Sequence, residues 1–284
     1  MGNIKIITDS TADVPKHFAE ELNITVVPLM VYFGDEAYRD WYDLSSEAFF
    51  AKLKESNIMP TTSQVTPAAF EEVFRKEAKQ NDTIICFTIS SKASGTYQSA
   101  LIARNIVMEE CGVDIEVIDS MSFSYGYGLA VVEAARMAKA GKSKAEIMER
   151  ANYLLEHTDT YFIVDTLEYL QKGGRINMAS AVIGSILNIK PVLGIKEGLV
   201  KPIDKIRGSK RVIPKMVEII KNNGYDIKGK TLAMAHGAIP DKLEELKQAI
   251  QEQFQPAGFE IAEVGCVVGA HSGPGVIGAF FIRE

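Results

Sequence analysis

Short apolar runs alternate with amphipathic helical patterns through the first half of the chain. Ile4-Lys5-Ile6-Ile7-Thr8 reads as a strand, and Pro15 opens a helix that runs to about Leu22. Ile24 to Phe33 reads as extended, and a short helix is expected from Leu44 to Leu53 behind an Asp43 cap. Thr66-Pro67 starts another helix, with proline at the first position, where its missing donor is harmless. Thr83 to Phe87 and Ile115 to Ile118 are further strands, each followed by a helix. Ser143 and Glu146 have the spacing of a capping box for a helix reaching about Leu155. Such strand–helix–strand alternation predicts a parallel sheet covered on both faces.

The pattern changes near residue 160. Tyr161 to Val164 is a strand, and Gly173-Gly174 can close the helix after it. Pro191 to Lys196 and Leu199 to Ile206 flank Glu197-Gly198, a two-residue connection suited to a β-hairpin. Strands at Leu232 to Ala235, Ile261 to Val268 and Ala279 to Ile282 alternate with helices near 210–222 and 241–254. Pro214 leaves the start of the first of these helices open. A hairpin beside long helices predicts a mixed, mostly antiparallel sheet. The fold expected is therefore α/β in two domains. Residues 1–158 form a Rossmann-like parallel sheet with flanking helices, and residues 159–284 a mixed α/β domain. The length of 284 residues agrees with two domains at roughly 150 residues each. The cleft between them is the expected ligand site.

Composition narrows the function classes. A net charge of −6 provides no overall positive field for nucleic acid, so any anion site must be local. Cys86, Cys111 and Cys266 form no C-x-x-C pair, and Cys86 and Cys266 lie inside apolar runs, which fits a reducing compartment. The first residues lack the apolar core of a secretory leader, and Ile24 to Phe33 is interrupted by Pro28 and too short to span a bilayer. After Gly2, position six is Ile6 where myristoylation needs Ser or Thr. A cytoplasmic protein is expected. With no H-E-x-x-H, no Walker loop and no G-x-G-x-x-G after the first strand, neither a metal nor a nucleotide cofactor is expected.

Four segments could carry chemistry, all expected at one edge of the first sheet: Thr8 to Asp13, Thr61 to Gln64, Ser90 to Ser99, and Asp119-Ser120. A loop such as Ser94-Gly95-Thr96 that opens a helix can aim backbone N–H groups and hydroxyls at an anion. Ser94 serves equally well as a plain helix cap. It could also be the nucleophile of a hydrolase or acyltransferase, with His271 as base and Asp9 or Asp119 as orienter, although no G-x-S-x-G elbow surrounds it. Three glycines and a proline between Gly269 and Gly275 predict a rigid turn around His271. Lys201, Lys205, Arg207, Lys210, Arg211 and Lys215 face a single acid, Asp204. Such a cluster can dock an acidic partner, touch anionic lipid headgroups or simply be solvated, and Arg175 could extend it.

These segments resemble the DegV family across essentially the whole chain. The resemblance rests on seven motifs in order: Thr8 to Asp13, Thr62-Ser63-Gln64, Ser94 to Ser99, Asp165 to Leu170, Gly173-Gly174-Arg175-Ile176, Asn188 to Pro191, and Gly269-x-His271-x-Gly273-Pro274-Gly275. It implies a long-chain fatty acid in a tunnel between the domains, its carboxylate held by Thr62 and Ser94. Ser63, Gly95, Thr96 and His271 would lie near the headgroup. The family includes the fatty-acid-binding subunit of the bacterial fatty acid kinase. The resemblance therefore implies a non-catalytic carrier in phospholipid metabolism that presents its lipid to an ATP-dependent kinase partner. Arg175, Arg207, Lys210 and Arg211 are the expected docking residues, and transient contact with an anionic membrane surface is a further expectation. Val65 and Ala93 depart from the usual pattern and leave acyl preference open. Met30, Met121, Phe123, Ile183, Ile186 and Leu187 could line the tunnel or be plain core.

Overall fold

The computed structural model describes residues 3–176 and 189–283. The expectations for Gly2, Ile183, Ile186, Leu187 and Asn188 lie outside the described residues. The first domain contains, in order, β1 (Ile4–Asp9), α1 (Lys16–Glu21), β2 (Thr25–Val27), β3 (Met30–Phe33), β4 (Glu36–Arg39), α2 (Ser46–Glu55) and β5 (Thr61–Ser63). It continues through α3 (Pro67–Ala78), β6 (Thr83–Thr88), α4 (Thr96–Cys111), β7 (Asp114–Asp119), α5 (Tyr125–Lys139) and α6 (Lys144–His157). Then follow β8 (Thr158–Ile163), α7 (Glu168–Lys172), β9 (Ile189–Lys196), β10 (Leu199–Arg207) and α8 (Val212–Asn223). The chain ends with β11 (Thr231–His236), α9 (Pro240–Phe254), β12 (Gly258–Glu263), α10 (Cys266–Ser272) and β13 (Ile277–Ile282).

The parallel sheet has the order β2-β1-β6-β7. Its strands are apolar on both faces, with Ile6, Ile7, Ile84 and Ile85 almost wholly buried, as a sheet covered twice by helices demands. Helices α3 and α4 pair against β6, while α5 pairs with α6 and lies along β1. Thr66 caps α3, Pro67 occupies its first position, and Ser143 with Glu146 completes the capping box of α6.

The second sheet has the order β10-β9-β8-β13-β11-β12, and among the described strands only β11 and β12 pair in parallel. Glu197 and Gly198 at φ 54° and 73° form the mirror-image turn that closes β9 onto β10. Met216, Ile220, Leu246 and Ile250 of α8 and α9 cover one face. Pro214 is the third residue of α8, where an N–H has no intrahelical acceptor to lose. The opposite face, with Ala233, Ala235 and Phe280, belongs to the core shared with the parallel domain.

Three local expectations are corrected. The α2 helix begins at Ser46 behind a Ser45 cap, whose hydroxyl accepts from Ala48 N, because Asp43 is engaged by the Arg39 guanidinium and backbone N–H. Thr61–Ser63 is a strand in a separate three-stranded sheet, order β4-β3-β5. The stretch from Ile24 to Phe33 is therefore split between two sheets, and the four candidate segments do not share one edge. The strand expected from Ile261 to Val268 stops at Glu263, and Cys266–Ser272 is helical. Its β-branched residues favour a strand locally. Tertiary partners decide otherwise, since Asp13 Oδ1 accepts the Gly265 N–H at 2.9 Å and Asp40 Oδ1 the Cys266 N–H at 2.8 Å. His271 thus sits in the last turn of a helix, not in a rigid turn at a strand end, and Gly273 at φ 73° ends that helix.

Candidate functional site

Thr62 lies in β5 opposite Val31, on a strand too short to be stable without its neighbours. Its Oγ1 is 3.0 Å from His271 Nε2, a contact between β5 and the C-terminal turn of α10. Ser94 stands in the loop between β6 and α4. It is not the cap of that helix, since Gly95 occupies the cap position with no side-chain bond. Instead Ser94 Oγ accepts from Thr96 N at 3.3 Å and shares a hydrogen bond with Thr96 Oγ1 at 2.9 Å. Thr96 is fully buried and is not among the residues that line the cavity beside Ser94. Ser63 turns its hydroxyl to Tyr32 at 3.2 Å.

His271 is neutral. Burial, aided by the nearby Arg175 cation, lowers its pKa to about 4. Its Nδ1 is buried and has no hydrogen-bond partner among the described residues. It packs on Gly173, where an added Cβ would lie only 2.2 Å from it. A bare acceptor nitrogen is cheaper to leave there than a buried N–H, so the proton belongs on Nε2. His271 then donates to Thr62 Oγ1, and the Thr62 O–H is free to donate elsewhere.

Thr62, Ser63, Ser94, Gly95 and His271 line one cavity of about 570 Å³, together with Arg175. The remaining wall is largely apolar, including Leu29, Ile89, Phe123, Phe162, Leu170 and Val200. Of the described tunnel candidates only Phe123 lines it. Met30 lies outside, and Met121 is exposed against the hairpin turn at Gly198. Arg175, expected with the basic cluster, is at the cavity instead, its Nη1 donating to the Gly173 carbonyl at 2.6 Å. Arg207, Lys210 and Arg211 do not line the cavity and make no ion pair among the described residues, whereas Lys201 pairs with Glu197 and Lys215 with Asp204.

The residues of a serine hydrolase are present but not arranged as one. Asp9 is buried and its carboxylate accepts from Thr11, Tyr127 and the Ile89 N–H. Asp119 accepts from Ser91 N and Met121 N. Neither orients His271, and the imidazole bonds Thr62 rather than Ser94. Among the described residues no three His, Cys, Asp or Glu side chains gather at metal distance, and no helix is long and apolar enough to cross a membrane.

Four residues take supporting roles at the site that the sequence does not assign to them, although Asp13, Gln64 and Gly173 lie within motifs it singles out. Gln64 lies over Gly95, where a Cβ would be 2.1 Å from its Oε1, and donates to Ser99 Oγ at 2.9 Å. Asp13 and Asp40, both raised in pKa by burial, hold the start of α10. Gly173 supplies the space for the His271 ring. Asp40 alone lies outside those motifs, and Gly173 also reads as a helix stop.

The DegV family model, described as a family of uncharacterised proteins, matches residues 3–284. The chain belongs to the DegV family. DegV domain-containing proteins of Caldanaerobacter subterraneus subsp. tengcongensis and Clostridium acetobutylicum are similar to it over 99% and 100% of both chains, at 38% and 39% identity. Among solved DegV structures, the fatty-acid-binding family member of Thermus thermophilus superposes with a TM-score of 0.89 at 31% identity, covering 99% of this chain and 100% of its own. DegV of Bacillus subtilis, described as a fatty acid binding protein, gives 0.87 at 30% identity over the whole of both chains. A stearic-acid-binding protein of Eubacterium ventriosum gives 0.89 at 27% identity, covering 99% of this chain and 98% of its own.

Proposed function

We propose that this protein holds one long-chain fatty acid in the cavity and presents its carboxylate to a separate ATP-dependent kinase, which forms the acyl phosphate. The observation that carries the reading is the make-up of the cavity, where the hydroxyls of Thr62 and Ser94 and neutral His271 share a wall with polar Gln64, Ser91, Lys92 and Arg175 and with a larger apolar set that includes Leu29, Phe123, Phe162 and Leu170. The solved relatives described as binding fatty acids support it. Burying about 14 methylenes of a C16 chain at ~0.8 kcal/mol each gives a gross driving force near ~11 kcal/mol, before ordering costs. A hydrogen bond to a charged group adds only about 1.5–3 kcal/mol. The tail supplies affinity; the hydroxyls fix the headgroup. Thr62, its acceptor oxygen already occupied by His271, directs its proton to the carboxylate, and Ser94 donates from the facing loop.

The kinase partner, a cytoplasmic setting and transient contact with an anionic membrane belong to the same reading, with Arg207, Lys210 and Arg211 docking the kinase. Arg175 borders the headgroup and would meet the transferring phosphate rather than the partner's surface. The two domains divide near residue 158, where α6 gives way to β8. Mass spectrometry of the denatured purified protein tests the carrier reading. Intact fatty acid released from an unmodified polypeptide supports it, and an acyl group covalently attached to Ser94 refutes it in favour of a hydrolase or acyltransferase.

A further inference from the structure

A second cavity of about 50 Å³ continues the first. The two share Phe123, Phe162, Val268 and Ser272, so their walls are continuous. Thr62, Ser94 and His271 line only the larger; Thr160 and Phe280 line only the smaller. Side chains two apart on a strand share a face, so on β8 Thr160 stands one strand repeat, roughly 6.6 Å, beyond Phe162. Phe280 is its register partner on β13. A tail that starts at the headgroup and passes Phe162 therefore ends beside Thr160.

This inner end is apolar except for hydroxyls, and one of them is stranded. Thr160 is 7% exposed, and its Oγ1 has no hydrogen-bond partner among the described residues. Thr158, the next residue on that face of β8, also buries an unpartnered Oγ1. The other hydroxyls of the small cavity are engaged: Ser124 donates to Asp13, and Ser272 points to the Gly273 carbonyl at 3.5 Å. Gly126 of α5 closes over Thr160 so tightly that a Cβ there would lie 2.9 Å from Oγ1. It brings no side chain to satisfy the hydroxyl. Thr160 itself lines the small cavity, and a change of χ1 rotamer is what would present its Oγ1 to a tail there.

We infer that the inner end of the cavity is a subsite for an oxygen-bearing acyl tail, a hydroxy or keto fatty acid, recognised by the Thr160 hydroxyl. This rests on the fatty-acid reading and narrows its ligand class. A plain methylene tail leaves Thr160 buried and unpaired. A tail oxygen at the same depth completes the missing hydrogen bond, and the rest of the wall excludes the water that would otherwise compete.

The test compares dissociation constants of stearate and of a positional series of monohydroxystearates for the wild type, Thr160→Val and Thr160→Ser. Valine keeps the shape and removes the hydroxyl; serine keeps the hydroxyl. For the isomer whose hydroxyl reaches Thr160, the ratio of stearate to hydroxystearate dissociation constants should fall about 5- to 150-fold in Thr160→Val, the effect of one buried hydrogen bond. Thr160→Ser should keep the wild-type ratio. A ratio that Thr160→Val leaves unchanged for every isomer overturns the subsite while stearate binding leaves the carrier reading intact. Failure of stearate and all its hydroxy derivatives to bind the wild type overturns both.

Discussion

Replacing Gly173 by alanine should dislodge His271 without disturbing the backbone. Gly173 sits at φ −75°, ψ −10°, which alanine adopts freely, so the effect comes from the methyl alone. That methyl would lie 2.2 Å from His271 Nδ1, 2.8 Å from its Cε1 and 3.0 Å from the Tyr169 carbonyl oxygen. To restore van der Waals separation the ring must retreat by about 1 Å. A displacement of that size spoils the geometry of the 3.0 Å contact with Thr62. Overpacking of this kind costs about 1–3 kcal/mol of stability. Losing one headgroup-orienting bond should weaken fatty-acid binding by roughly 10-fold. The assay pairs NMR of the imidazole nitrogens with fatty-acid titration. Gly174→Ala is the control: at φ 70° with nothing within 4 Å, it strains the backbone but leaves the ring alone. Adding His271→Ala to Gly173→Ala should cost less than the sum of the two, because the methyl gains the space of the ring. An unchanged imidazole spectrum and unchanged affinity in Gly173→Ala would refute the reasoning.

Ser94→Ala should weaken acyl binding by at most about 10- to 150-fold, one charge-assisted hydrogen bond, and slow acyl-phosphate formation more than that at saturating fatty acid. Full loading with a normal phosphorylation rate would show that Ser94 matters only to its own loop. Thr62→Ala should behave alike, and the double mutant should be non-additive if both grip one carboxylate. For ligand-free protein, the His271 contribution runs with pH. Its pKa falls from 6.5 to about 4 on folding, so stability is full above the unfolded value and is lost as pH drops through that window. His271→Gln should flatten that slope in a urea-denaturation series; Asp9, Asp13 and Asp40, raised by burial, act in the opposite sense and are common to both proteins. Reversing the charge of Arg207, Lys210 and Arg211 should leave bound lipid unchanged while lowering kinase turnover at limiting kinase, and equal turnover would return the patch to solvated surface.

Periodicity located the elements well where a strand or helix contains its own reasons. The parallel strands are continuous apolar runs, Thr66-Pro67 and Ser143 with Glu146 are local caps, and Glu197-Gly198 is a local turn. It failed where the reason is distant. Cys266–Ser272 reads as the end of a strand to Val268 and then a turn, because Val267 and Val268 favour a strand. It becomes a helix because carboxylates more than two hundred residues away receive its first N–H groups. Thr61–Ser63 has no strand pattern of its own for the same cause, since three residues acquire strand character only beside β3. The polar residues of the cavity, Thr62, Ser94 and His271, are legible as hydroxyl and histidine motifs. Their pairing is not, because Thr62 meets His271 rather than Ser94, and no local pattern encodes a contact across 209 positions.

The same long-range dependence gives the site its coupling to the fold. Thr62 stands on a small sheet, Ser94 on a loop of the parallel sheet, and His271 on a helix whose other end is held by Asp13 and Asp40. Ser46 adds a bond to the Val264 carbonyl at 2.8 Å, tying α2 to the same segment. No one of these elements defines the headgroup position alone. On the proposed reading, a carboxylate that bridges Thr62 and Ser94 fastens the small sheet to the Ser94 loop, and the Thr62–His271 contact extends that link to α10. At a hundredfold excess over its dissociation constant such a ligand stabilises the fold by about 2.7 kcal/mol. The tail contributes to that figure wherever it is buried, but only the headgroup bonds depend on the relative placement of β5, α10 and the Ser94 loop. Loosening the hold on α10, as Asp40→Ala would by removing the acceptor of the Cys266 N–H, should therefore spare most of the affinity and fall mainly on the alignment of the carboxylate. On the proposed reading, affinity and reactivity are set in different parts of one cavity, the division of labour that a carrier serving a separate enzyme requires.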